Sequence, residues 1–422
     1  MTLRYNPFRP NGIVPPHMFC GREKEMQTVR QSLFQTKNEN PQHFLIEGER
    51  GIGKSSLLHY IQQEAGMGGS QAVSLEFQFL VISIELNETM PYGSILHAIA
   101  SEFRTQLYAH KDVVAIAATI WDFLTNWKVL GVEYKKGQIS EIESDVLDDL
   151  ARSMAKFTSE ASNKASAQKR IDGILILIDE ADKPSENARL GEFVKLFTER
   201  LTKIGCGRVC VGLSGLPALV GKLRASHESS LRVFETIPVG VISQDACEQV
   251  VIRALIEAKQ KNGRDTTVDA SALDLLGLLS EGYPHFVQQF GFSAFMQDDD
   301  WNISDNDVTT GAFSHNGGLD QLAKRYFHDL YYEQIWSPDY RKVLHTMTEH
   351  LDDWVSRSEI LATSGVKSSQ VTNALHTLKE KGIILVNPQK KAEYRLPSKS
   401  FAVWLKVLER RSETNVPSSA ET

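Results

Sequence analysis

Cysteine is scarce in this chain: Cys20, Cys206, Cys210 and Cys247 are the only four in 422 residues. Cys206 and Cys210 are four apart, but no second Cys or His pair stands near them. That argues against a zinc site and for reduced, buried thiols. No apolar run is long enough to span a bilayer. The opening residues, Met1 to Gly12, lack the apolar stretch of a secretory signal. These absences lead us to expect a reducing, cytoplasmic setting and no membrane partner. Positive charge is not in excess either. Lys and Arg number 46 against 53 Asp and Glu, a net charge of -7, which argues against blanket nucleic-acid binding. The charge is uneven, however: Pro338 to Arg411 holds 13 basic against 8 acidic residues, a surplus of 5. Any polyanion contact is expected there. We find no internal repeat.

The chain is long enough for two or three domains. His43–Glu47, Leu80–Leu86, Ile174–Ile178, Arg208–Ser214 and Glu235–Val239 read as short apolar strands. Between them Glu23–Thr36, Ser55–Glu64, Tyr92–Leu107, Val113–Lys128 and Gly191–Ile204 carry apolar residues at helical spacing. Strands alternating with helices predict a parallel sheet with right-handed crossovers. Residues 1–22 read as an extended lead-in and 23–242 as an α/β core, with 141–170 a polar surface helix and flexible approach. Residues 243–337 read as helical, 338–411 as a smaller separate unit, and 412–422 as a disordered tail.

The chemistry concentrates after the first strand. Gly48, Glu49, Arg50, Gly51, Ile52, Gly53, Lys54 and Ser55, followed by Ser56, fit G-x-x-x-x-G-K-[ST] between a strand and a helix. Glycines let backbone N–H groups turn inward around phosphate oxygens, and the helix N-terminus adds its positive end. Lys54 then supplies a point charge for terminal phosphates, and Ser55 a hydroxyl for Mg²⁺. About 130 residues on, an apolar run delivers Asp179 and Glu180 to the sheet edge. Asp179 is suited to orient Mg²⁺ through its water shell, and Glu180 to polarise an attacking water. ATP and Mg²⁺ are therefore the expected ligands. Asp179 to Asp182 also spell a helicase tetrapeptide, but the second helicase domain with its own motifs is not found. Ser214, on a strand expected beside that of Asp179, suits a γ-phosphate or water contact, or equally a helix cap.

These motifs, with Asn6-Pro-Phe8, Pro15-Pro16 and Phe19-Cys-Gly21-Arg22-Glu23 ahead of them, resemble AAA+ ATPases close to origin-recognition and initiator proteins. They are also similar to STAND signalling ATPases. The resemblance implies an αβα P-loop NTPase core, an α-helical lid and a C-terminal winged helix, with nucleotide between core and lid. It implies that Gly21 and Arg22 lie against adenine, and that Pro284 and His285 belong to the Gly-x-Pro turn of the lid. Arg232 would reach the γ-phosphate of a neighbouring copy, so a homo-oligomer is implied when ATP is bound. His285 stands where initiator-type lids carry Arg, which moves the chain toward the STAND type. Its partner is then a separately encoded effector protein, in a setting such as antiviral defence.

In the last unit, Asp339–His350, Ser356–Ser364 and Ser368–Lys381 read as helices, and Val371, Leu375 and Leu378 as the buried face of the third. Ile383–Val386 and Glu393–Leu396 read as a hairpin. This pattern is similar to a winged helix. If it meets duplex DNA, Ser369, Gln370, Asn373 and His376 are placed to read base edges, and Lys390 and Lys391 to grip phosphates. A protein contact is the alternative. Phe401, Trp404 and Leu405 read as a terminal helix folding back.

Overall fold

The computed structural model describes residues 3–67, 77–110, 139–164, 171–350, 353–387 and 389–414. The predicted helix at Val113–Lys128 lies outside them. The chain divides into two compact units, Ile13–Gly240 and Met1–Gly12 together with Val241–Thr422.

The first unit is a parallel sheet covered by helices. Its strands are β1 (His43–Gly48), β2 (Phe79–Glu85), β3 (Gly173–Asp179), β4 (Val209–Gly215) and β5 (Phe234–Val239), in the order β2-β3-β4-β1-β5. All four pairings are parallel. Central strands of a parallel sheet are buried on both faces, which is why the runs that form them are apolar without alternation. Ile174, Leu175, Ile176, Leu177 and Ile178 of β3 are all at most 1% exposed.

The covering helices are α1 (Glu23–Lys37), α2 (Lys54–Ala65), α3 (Tyr92–Ala109), α4 (Ile139–Lys164), α5 (Leu190–Lys203) and α6 (Ala218–Ser226). Helix α4 covers most of the segment we expected to lie polar on the surface. It forms, but one stripe is core: Leu147, Leu150, Ala151, Met154 and Phe157 are buried, and the Phe157 ring meets Phe103 of α3 edge-on at 5.7 Å.

The second unit is mainly helical: α7 (Gln244–Asn262), α8 (Ala270–Ser280), α9 (Pro284–Gln297), α10 (Asp305–Phe313) and α11 (Gly318–Tyr326). Two short strands, β6 (Thr267–Val268) and β7 (Asn302–Ile303), pair in parallel. Then come α12 (Pro338–Met347), β8 (Val355–Ser356), α13 (Arg357–Ser364), α14 (Ser368–Glu380), β9 (Leu385–Val386), β10 (Glu393–Arg395) and α15 (Lys399–Thr414). Strands β8, β10 and β9 form a small antiparallel sheet with β10 in the middle. Val371, Leu375 and Leu378 form the buried face of α14, joined by Ala374. Helix α15 runs on to Thr414, into the stretch expected to be a tail. It folds back on α12 and also on α11, where Phe401 and Trp404 lie against Phe327.

Residues 3–9 carry no regular secondary structure and lead into a turn at 10–12, and the whole stretch is built into this second unit. Arg4 pairs with Asp298 at 2.7 Å, and Phe8 is 2% exposed.

Candidate nucleotide site

The site forms at the C-terminal edge of the sheet, where β1 gives way to α2. Gly51 and Gly53 hold φ of 79° and 96°. That is the left-handed region in which a side chain is strained, so glycine sets the curl of the loop. Gly48 is excluded from substitution for another reason: a Cβ there would lie 2.7 Å from the carbonyl oxygen of Val239 on β5. Ile52 points inward at 2% exposed, while Glu49 and Arg50 are exposed. Lys54 Nζ donates to the carbonyl oxygens of Gly48 and Glu49, both at 2.9 Å. Burial lowers the Lys54 pKa, opposed by the charges of Glu180, Asp179, Asp182 and Glu49.

Two residues far apart in sequence meet here. Ser55 Oγ donates to Asp179 Oδ2 at 2.8 Å. Asp179 Oδ1 accepts from the backbone N–H of Glu180 at 2.8 Å. Glu180 itself holds φ of 53°, and its carboxylate lies 3.7 Å from Lys183 Nζ. Lys183 also faces Glu85, at the end of β2, at 3.6 Å.

Strand β4 runs between β1 and β3, so its end sits between the loop and the acidic pair. In register Ser214 lies beside Ile46, and Leu213 beside Ile178. Ser214 is fully buried and its Oγ has no hydrogen-bond partner among the described residues. A buried hydroxyl left unpaired costs roughly 1–3 kcal/mol, and such an atom marks a place where a further group fits. The helicase-like tetrapeptide has a structural use. Asp182, 8% exposed, accepts from the Leu216 N–H at 2.8 Å, and Ala181 donates its N–H to the Ser214 carbonyl at 2.8 Å. Both bonds brace the end of β3 against the end of β4.

The lead-in reaches the same loop. Arg22 is 4% exposed and donates from Nη2 to the Ile52 carbonyl at 2.8 Å. Burial lowers its pKa, with Glu25 opposing the shift. Gly21 precedes it at φ of 76°. Ser56 Oγ lies 3.5 Å from the Val14 nitrogen. The sequence held no sign that the Arg22 guanidinium would support the phosphate loop itself.

Other expected residues lie elsewhere. Arg232 is exposed at the opposite, N-terminal edge of the sheet, in the turn before β5. It lines a cleft of about 640 Å³ with His43, Lys195, Lys203 and Phe234. A strand of this length separates it from Lys54 of its own chain by about 17–20 Å, so the two do not meet. Pro284 opens α9 in the second unit. There His285 Nε2 lies 2.8 Å from the Pro10 carbonyl oxygen and 2.9 Å from Arg325 Nη1, and Nδ1 lies 2.9 Å from Tyr326 Oη. Ser369, Gln370, Asn373 and His376 are exposed on α14, and Lys390 and Lys391 are exposed between β9 and β10.

The donor set fits Mg-ATP. The loop supplies a glycine-curled backbone and a lysine, Ser55 and Asp179 supply oxygens 2.8 Å apart, and Ser214 offers a hydroxyl unpaired among the described residues. A parallel sheet of this order with that loop is the fold of P-loop ATPases. The comparisons agree. Residues 18–201 match the family described as AAA ATPase domain. Solved structures similar over nearly the full length include the Walker-type ATPase paby2304 of Pyrococcus abyssi, at 16% identity and a TM-score of 0.52, covering 96% of this chain and 99% of that one. The ORC2 protein of Aeropyrum pernix, solved as ADPNP–ADP complexes, is 13% identical with a TM-score of 0.54, covering 97% of this chain and 98% of that one. At these identities the likeness shows a shared fold. No curated protein matches the sequence. No helix among the described residues is long and apolar enough to cross a membrane.

Proposed function

We propose that this chain binds and hydrolyses Mg-ATP and uses the cycle as a conformational switch or to assemble. The single observation that carries the reading is the meeting of Ser55 with Asp179 at 2.8 Å beside a glycine-curled loop bearing Lys54. Lys54, released from the carbonyls of Gly48 and Glu49, takes terminal phosphate oxygens instead. The amides of Glu49 to Ser56 share the remaining charge. Ser55 and Asp179 hold Mg²⁺, which when bound neutralises charge on the phosphates. Glu180 accepts a proton from the attacking water, and Ser214 donates its hydroxyl to the γ-phosphate or that water. Gly21 and Arg22 flank the adenine.

Arg232 serves a neighbouring copy. Its place at the far edge of the sheet supports action in trans and a homo-oligomer in the ATP state. Pro338–Arg411 is read as a winged helix that meets duplex DNA in the cytoplasm. The support is the exposed row Ser369, Gln370, Asn373 and His376 and the local basic surplus. The test is the ATPase rate with and without duplex DNA, run with a size measurement under a slowly hydrolysed ATP analogue. Stimulation together with assembly is expected. A nucleotide-retaining monomer indifferent to DNA would favour a second reading: a slowly hydrolysing STAND-like sensor with Pro284 and His285 near the adenine and a separate effector protein as partner, for example in antiviral defence. One observation supports that reading: His285 stands in an arginine's place and is engaged by Pro10, Arg325 and Tyr326.

A further inference from the structure

Residues 4–11 are fixed to the helical unit at four points. Arg4 donates to both the carboxylate and the carbonyl oxygen of Asp298, each at 2.7 Å, and its guanidinium lies over the rings of Trp301 at 4.1 Å and Phe295 at 4.6 Å. The Asp298 side chain is fully buried, so removing Arg4 leaves a buried charge exposed to no counter-ion. Tyr5 and Arg9 both engage Glu257 of α7, and the Phe8 ring packs on Gly291 of α9, where any Cβ would lie 2.4 Å from it. Pro10 and Asn11 accept from Arg325 of α11.

The chain consequently passes between the two units twice, at Gly12–Ile13 and at Gly240–Val241. Just after the first passage it serves the phosphate loop. Phe19 stacks on Tyr60 of α2 at 4.7 Å, and Arg22 holds the Ile52 carbonyl at 2.8 Å. Only Gly12 and Ile13 separate the last anchor, Asn11, from Val14, which reaches Ser56. So short a connection has little slack, and a shift of the loop-side segment is passed on rather than absorbed.

We propose that residues 4–11 are a clasp: a second tether through which the nucleotide state of the phosphate loop is transmitted to the helical unit. By linkage, the state of the helical unit acts back on nucleotide affinity to the same degree. The clasp rests on the phosphate-loop reading for the signal it carries, but not for its anchorage.

The test severs the tether and keeps every anchor. Gly12 is exposed, with no atom within 4 Å of where a side chain would stand, so a specific protease sequence can replace it in the full chain. Three forms are compared: the intact wild-type chain with its two-residue connection unaltered, the protease-site chain after cleavage, and the double variant Arg4→Ala with Phe8→Ala. Each is measured for retention of the N-terminal peptide, affinity for Mg-bound adenosine 5′-(β,γ-imido)triphosphate, and hydrogen exchange in α7, α9 and α11. In the intact chain the analogue should change exchange in these helices by about tenfold. After cleavage the peptide should stay bound and affinity should stay within about threefold, while the exchange response is lost. The double variant, with the chain unbroken, should lose the same response.

A cleaved chain that responds like the intact one overturns the clasp. So does loss of the peptide on cleavage, and so does an intact chain that binds the analogue without any response. An intact chain that does not bind the analogue refutes the phosphate-loop reading and the transmission with it. Peptide retention then still decides the anchorage, so the two failures are told apart.

Discussion

At the scale of single residues, roles divide by what each atom has left to bond. Glu180→Gln keeps the shape of the site but cannot take a proton from water. It should retain ATP binding and lose hydrolysis by about 100-fold or more, measured as bound nucleotide against phosphate release. Ser214 gives a sharper contrast, because its hydroxyl has no partner among the described residues. Ser214→Ala should leave thermal stability unchanged or slightly raised while slowing hydrolysis by about tenfold or more. A loss of stability in step with activity would assign Ser214 a structural use instead. His43 supplies a pH dependence. Its Nδ1 accepts from the Val211 N–H at 3.1 Å, and burial pushes its pKa down to about 4 from 6.5. The unfolded chain therefore binds a proton below about pH 6.5 that the folded chain refuses until about pH 4. Stability must fall as pH falls through that window, by about 3 kcal/mol from this one group. His43→Asn, which keeps an acceptor for Val211, should reduce that fall, as read by urea unfolding at pH 7 and pH 4.5.

At the scale of elements, what was legible in the sequence was what local chemistry decides alone. The central strands β1, β3 and β4 were readable because buried parallel strands need nearly uninterrupted apolar runs, whereas β5, at the edge, exposes Glu235, Thr236 and Pro238 and gives a weaker signal. The loop was readable because its glycines and lysine are contiguous. Helix α4 was half legible: Glu, Asp and Ser dominate its composition and mask the buried stripe of Leu147, Leu150, Met154 and Phe157. Strands of two residues such as β6, β7 and β8 leave no periodic signal. The clasp was illegible for a different reason. The partner of Arg4 lies 294 residues away, and nothing local foretells it. One element-level consequence is steric. A Cβ on Gly212, in the middle of β4, would lie 2.4 Å from the Phe44 ring and 3.0 Å from Leu177. Gly212→Ala should cost about 1–3 kcal/mol by overpacking, seen as a lowered thermal midpoint, with any loss of nucleotide affinity following from the displaced Ser214.

At the scale of the whole molecule, the parallel sheet holds two opposed edges. One carries the phosphate loop and the acidic pair, and the other carries Arg232. If Arg232 works on a neighbour, Arg232→Ala and Lys54→Ala chains should each be inactive alone and regain activity when mixed, since one supplies an intact loop and the other an intact arginine. A mixture with no more activity than its parts would remove the trans role. The basis for everything else is that Lys54 and the amides around it hold a triphosphate. Calorimetric titration of the wild-type and Lys54→Ala chains with the same Mg-bound imido analogue addresses this without depending on hydrolysis, assembly or DNA. Binding by the wild-type chain, lowered at least about 100-fold by the substitution, is the expected result. Equal affinity in the two chains, or no binding by either, would contradict it.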